Sequence, residues 1–175
     1  MSVIFFYQKS HKKRSLTNKK NYVIIIRMRT KKEAIGRLLK VASNQMSREF
    51  DNFAAQLDLT GQQMSILDFL GNQSEEGSGK EISQTMIELE FNIRRSTTTE
   101  ILQRMEKRLL INRRTSLTDA RQKSVELTEE GKRYLPEIRA YIQAHNKKAL
   151  TGLSTEEIAA VEKFLNNFSV QEGRE

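Results

Sequence analysis

A chain of 175 residues with 37% hydrophobic content is long enough for one domain with a modest core, which excludes a wholly disordered protein. It has no cysteine, so disulfides, thiol-based peroxide sensing and cysteine-ligated metals are excluded, and a cytoplasmic location is expected. Its net charge of +8 implies an anionic partner only where the charge is concentrated, and a single proline among long runs of good helix formers makes the class mainly α.

Residues 1–32 hold ten of the 30 basic residues and no acid, which leaves 20 basic against 22 acidic residues in the rest. The lysines lie between two short apolar runs, Val3–Tyr7 and Tyr22–Ile26, without a sustained period. Three readings of this extension stand: a basic arm adding phosphate contacts, an upstream segment ahead of a true start at Met28, or a surface-membrane anchor. Tyr22–Met28 is too short to span a bilayer, and Val3–Tyr7 precedes the basic cluster instead of following it as in a signal peptide, so no membrane span is expected.

From Ala34 the apolar residues Ile35, Leu38, Leu39, Ala42, Met46, Phe50, Phe53, Ala54 and Leu57 recur at spacings of three and four, one face of a long first helix. Thr60 followed by Gln63 is a capping-box pattern that opens a second helix carrying Met64, Leu67 and Leu70, with its end expected at Gly71 and an exposed loop over 72–79. Glu81 and Ile82 could form a very short strand. Ser83 then caps a short helix that turns Met86, Ile87 and Phe91 inward, and a turn at Asn92 leads to a fourth helix from about Arg94 to Arg108. Its apolar face is expected to hold Thr98, Ile101, Leu102, Met105 and Leu109, with Arg95, Thr99, Gln103 and Arg104 on other faces. Short helix, turn and polar-faced helix make a helix-turn-helix candidate.

The period then changes. Leu110–Thr115 and Lys123–Leu127 read as two strands of a hairpin whose tip, 116–122, is long enough to project as a wing. Thr128 caps a fifth helix with Glu129 and Glu130 in its first turn and Tyr134, Leu135, Ile138, Tyr141 and Ile142 on its apolar face. Pro136 lies too far inside for a first-turn proline, so a kink or a restart is expected there. Ser154 and Glu157 form a second capping box before an amphipathic sixth helix with Ile158, Val161, Phe164, Leu165 and Phe168.

Residues 94–123 carry nine Lys or Arg against Glu100, Glu106 and Asp119, a patch of the kind phosphate requires. Within it, Arg94, Arg95, Ser96, Thr97, Thr99 and Gln103 place guanidiniums, hydroxyls and an amide at a helix N-terminus, where they can meet phosphates and base edges. The plain alternative is an ordinary solvated face. Arg113, Arg114 and Lys123 are candidates for phosphate contacts or are simply solvated. Catalysis has little to work with: His11 lies in the extension and His145 stands alone on a helix, so no acid–base pair, metal cluster or cofactor site is expected. His145 could line an effector pocket with Tyr141 or be a partly buried structural histidine.

Over residues 33–168 the chain resembles the MarR family of bacterial regulators. The string Asp119-Ala-Arg121 followed by Leu127-Thr128-Glu-Glu-Gly131 matches the family's D-x-R and L-T-x-x-G; Phe91–Thr99 with Leu102–Lys107 is similar to its recognition helix, and Leu57–Gln63 to its entry into helix two. The resemblance implies a mainly α winged helix-turn-helix in the order helix, helix, short strand, short helix, recognition helix, strand, wing, strand, helix, helix. Residues 60–127 would form the DNA-binding lobe, and 33–59 with 128–175 the dimerisation helices. It implies that Arg121 enters a minor groove with its guanidinium held by Asp119, and that Ser96, Thr97, Thr99 and Gln103 face the major groove. The alternative for Asp119 and Arg121 is a surface pair in a turn. A homodimer on an imperfect palindrome of double-stranded DNA is therefore expected, responsive to a small-molecule effector and not an enzyme; the alternative is a helical adaptor for an acidic protein. Two positions depart from the family pattern. Leu109 stands where the recognition helix usually ends in glycine, which implies a strained or extended turn into the wing, and Glu100 stands where many relatives carry a basic residue.

Overall fold

In a computed structural model, residues 35–75, 81–116 and 121–169 are described. The basic extension through residue 34, Asp119, most of the wing tip and the side chain of Phe168 lie outside them. By its contacts the chain divides between Met46 and Ser47. Of the first unit, residues 35–46 begin helix α1 (Ile35–Ala54), and Ile35, Leu38, Val41 and Met46 are exposed on it.

The second unit takes the end of α1 through a 3-10 turn (Ala55–Leu57) into α2 (Gly61–Glu75). The capping box forms as the sequence predicts: Gln63 N donates to Thr60 Oγ1 at 3.2 Å and Thr60 N to Gln63 Oε1 at 3.0 Å. The end of α2 differs from expectation, because the helix runs past Gly71 to Glu75. A β-carbon on Gly71 would meet the Leu135 methyls at 2.8 and 2.9 Å. The glycine is there to admit a neighbouring helix and does not stop its own.

Helix α3 (Gln84–Glu90) is capped by Ser83, whose Oγ accepts from Met86 N at 3.3 Å. The strand expected at Glu81–Ile82 is reduced to a single bridge, Ser83 with Ser124, beside a bond from Val125 N to Ile82 O at 2.8 Å. Helix α4 (Arg95–Lys107) follows, and then the hairpin of β1 (Ile111–Thr115) and β2 (Lys123–Leu127), antiparallel with Arg113 opposite Val125. The core gathers Met64, Ile66, Leu67 and Leu70 of α2, Ile87 of α3, Leu102 and Met105 of α4, Leu110, Ile111 and Val125 of the hairpin region, and Ile138, all essentially inaccessible. Burial on this scale supplies the main driving force for folding.

Thr128 caps α5 (Glu129–Arg133), its Oγ1 accepting from Gly131 N at 3.0 Å. The chain restarts after Tyr134 as α6 (Leu135–Ala149), with Pro136 in the first turn, where its missing N–H costs nothing. What reads as one fifth helix is thus two, and α7 (Thr155–Ser169) is the last. The Ser154 capping box forms, with Glu157 N donating to Ser154 Oγ at 3.3 Å and Ser154 N to Glu157 Oε2 at 2.8 Å. The apolar stripe of α7 is only partly covered: Ile158 and Phe164 are half-buried, whereas Val161 and Leu165 are exposed, as are Leu150 and Leu153 before them. Among the described residues no helix is long and apolar enough to cross a membrane.

Candidate nucleic-acid interface

Both helices of the helix-turn-helix end in the same way. After α3, Asn92 N bonds Leu89 O at 3.3 Å and Ile93 N bonds Glu88 O at 3.1 Å; after α4, Leu109 N bonds Glu106 O at 2.9 Å and Leu110 N bonds Met105 O at 3.0 Å. This paired pattern closes a helix by placing the residue after the cap in the left-handed region. Asn92 has φ 47° and Leu109 φ 59°. Asparagine visits that region readily, whereas a leucine β-carbon crowds the backbone. Leu109 is therefore strained as its departure from the family pattern implies, but it does not extend the apolar face of α4 as the spacing suggests: it is 69% exposed.

The same turn anchors the wing. Thr128 N donates to Leu110 O at 3.2 Å and Thr128 Oγ1 to Leu109 O at 2.5 Å. A β-carbon on Gly131 would stand 2.1 Å from Leu110 O, so this position admits only glycine. At the far end of α4, Arg108 bonds the Asp58 carbonyl and pairs with its carboxylate at 3.2 Å, which ties α4 to the left-handed turn at Asp58, φ 56°.

The N-terminal half of α4 is open to solvent. Arg94 is the extended N-cap, and Arg95, Ser96, Thr97 and Gln103 are exposed. Thr98 differs from its neighbours in being fully buried, its hydroxyl donating to Arg94 O at 3.1 Å. The half-buried Thr99 donates to Arg95 O at 2.8 Å and accepts from Gln84 Nε2 at 2.9 Å. Glu100 pairs with Arg104 at 3.5 Å, both largely exposed.

Two of the strand arginines are engaged within the protein. Arg113 Nε and Nη2 lie 2.9 and 2.6 Å from Glu106 Oε2, with side-chain exposures of 17% and 39%. Arg114 pairs with Glu126 across the hairpin. Arg121 and Lys123 are exposed at the root of the wing. With Arg95 they line an open polar cleft of about 430 Å³ whose other walls are Ser83, Gln84, Thr85, Glu88 and Gln122. The α3 residues of that cleft stand outside the candidates that the sequence motifs indicate. The Ser83 cap was the available signal, since a cap in a helix-turn-helix fixes where the first helix begins beside the second.

His145 is 12% exposed, with Nε2 3.1 Å from Glu49 Oε2 and its ring edge-on to Phe50 at 5.1 Å. A carboxylate only accepts, so Nε2 carries the proton. Phe53 stacks on Tyr141 at 3.9 Å, and burial, helped by the Glu49 charge, raises the Tyr141 phenol above its ordinary range. These rings pack α1 against α6. Among the described residues no group of His, Asp or Glu is placed to hold a metal ion.

A MarR family model matches residues 57–122. Among solved structures, the chain is 42% identical to the transcription regulator MarR from Oenococcus oeni PSU-1, covering 77% of this chain and 97% of that one with a TM-score of 0.68. A DNA complex of S. aureus MepR is 22% identical, covering 79% and 98% with a TM-score of 0.67. CouR from Rhodococcus jostii RHA1, bound to p-coumaroyl-CoA, is 17% identical, covering 82% and 96% with a TM-score of 0.67. No curated protein matches.

Proposed function

Since the chain belongs to the MarR family, DNA-binding transcription regulators and not enzymes, we propose that it acts as a homodimer that reads an imperfect palindrome through α4 and the wing. The observation that carries this reading is the convergence of Arg95, Arg121 and Lys123 on one open cleft beside a hydroxyl-rich helix N-terminus. Arg94, Arg95, Ser96, Thr97, Thr99 and Gln103 meet the major groove, and Arg121 reaches a minor groove beside it, where a planar guanidinium suits concentrated negative potential. Asp119 is proposed to orient Arg121. Lys123 and Arg114 contact phosphate. Arg113, already bonded to Glu106, supports the wing and does not touch DNA.

Residues 60–127 form the reading lobe, and helices in 33–59 and 128–175 pair the two chains. The exposed stripes on α1 and α7 support that pairing, because such apolar faces are stable in water only when covered. Two-fold pairing sets the reading heads about one DNA turn apart. Responsiveness to a small molecule is supported by the family and by a solved neighbour of the same fold holding p-coumaroyl-CoA. The protein works in the bacterial cytoplasm, beside the chromosome.

Fluorescence anisotropy on promoter duplexes tests the proposal. A regulator binds one site far more tightly than scrambled DNA, with affinity falling steeply as salt rises. Weak, sequence-blind binding instead supports an adaptor that uses the same basic face for an acidic protein.

A further inference from the structure

Thr99 is held by two neighbours, Arg95 and Gln84, the second of them oriented by Glu88. Nε2 of Gln84, the first residue of α3, lies 2.9 Å from Thr99 Oγ1 and 2.9 Å from Glu88 Oε1. A carboxylate oxygen can only accept, so Glu88 decides which end of the Gln84 amide lies between them. It is the NH2 group, and it donates to Thr99. A hydroxyl has one proton and two lone pairs. The Thr99 proton goes to Arg95 O at 2.8 Å and one lone pair goes to Gln84, which leaves one lone pair and the methyl group.

We infer that Gln84 is a positioning residue that makes Thr99 an acceptor-only reader, so that the operator position facing Thr99 rejects guanine. In the major groove guanine shows only the acceptors N7 and O6, whereas adenine and cytosine show an amino donor and thymine a methyl group. Guanine would set a lone pair against a lone pair. The inference rests on the proposal that α4 faces the major groove, and it adds to it which base is refused and which residue outside α4 enforces the refusal.

The test uses the full chain with a randomised duplex library, followed by competition between sites differing at one base. The wild-type protein should show a position in each half-site where guanine weakens binding about tenfold relative to the preferred base. Thr99→Ala should abolish that penalty and so identify the position. Gln84→Ala removes the bond that pins the Thr99 rotamer, so the side chain can swing its hydroxyl off Arg95 O and offer its proton outward, and the penalty should fall to about threefold or less at that position alone. Each penalty is a ratio measured within one protein, so a partial loss of folding cancels. The inference is overturned if Gln84→Ala keeps the full penalty, or if Thr99→Ala leaves the guanine profile unchanged at every position. A wild-type chain that enriches no sequence rejects the DNA-reading proposal instead, before any variant is made.

Discussion

Arg113 grips one carboxylate oxygen of Glu106 with two nitrogens, at 2.9 and 2.6 Å, and so fastens strand β1 to the last turn of α4. A charge-assisted bond this close, on a mostly buried arginine, stabilises by about 1–3 kcal/mol. Arg113→Ala should lower unfolding free energy by that amount in urea while leaving the slope of log affinity against log salt unchanged. Arg121→Ala should do the reverse, reducing the slope by about one per reading head with little change in stability. A flatter slope for Arg113→Ala would make it a phosphate contact after all.

Leu109 is exposed in a left-handed conformation that costs a non-glycine residue about 1–2 kcal/mol. Leu109→Gly removes the crowding and gives up little buried surface. Some of the gain is offset by glycine's greater freedom in the unfolded chain. The variant should unfold about 2–4 °C higher by calorimetry. A lower midpoint would mean that the leucine side chain is covered in solution.

Gly131→Ala should do the opposite. The new methyl group would be driven against the Leu110 carbonyl, and backbone on both sides must shift. A loss of about 3 kcal/mol is expected, together with weakened hydrogen-exchange protection at Thr128, whose N–H bonds that carbonyl.

Tyr141 links stability to alkaline pH. Burial, with the Glu49 charge adding, holds its phenol above the ordinary value of 10.0, so the folded state keeps a proton that the unfolded state releases. That contribution is complete below the ordinary value and is lost as pH climbs through the folded one. Tyr141→Phe should therefore flatten the decline in stability above pH 10, measured by urea unfolding at stepped pH. At neutral pH it should cost about 1 kcal/mol, because the hydroxyl's bond to Glu49 O at 2.9 Å is gone.

The parts of this fold that the sequence makes legible are those decided within a few residues. The caps at Thr60, Ser83, Thr128 and Ser154 are read directly, because a hydroxyl meets an N–H three residues on. The restart at Pro136 follows from one missing donor. Features that need a distant partner are not legible. Gly71 looks like a helix stop until Leu135 arrives against it, and Arg113 looks solvated until the chain turns it back onto Glu106. Within the site, Ser96, Thr97 and Gln103 are as exposed as their spacing indicates. Thr98 belongs to the core as its place on the expected apolar face of α4 indicates, with Thr97 exposed and Thr99 half-buried beside it.

Helix α7 alone leaves Val161 and Leu165 in water. In the proposed homodimer such residues meet their twins, so the durability of the fold would rise with the protein's own abundance. When synthesis stops, dilution by cell growth would then do more than thin the pool: each chain left alone would open more readily to proteases, and loss would accelerate as numbers fall.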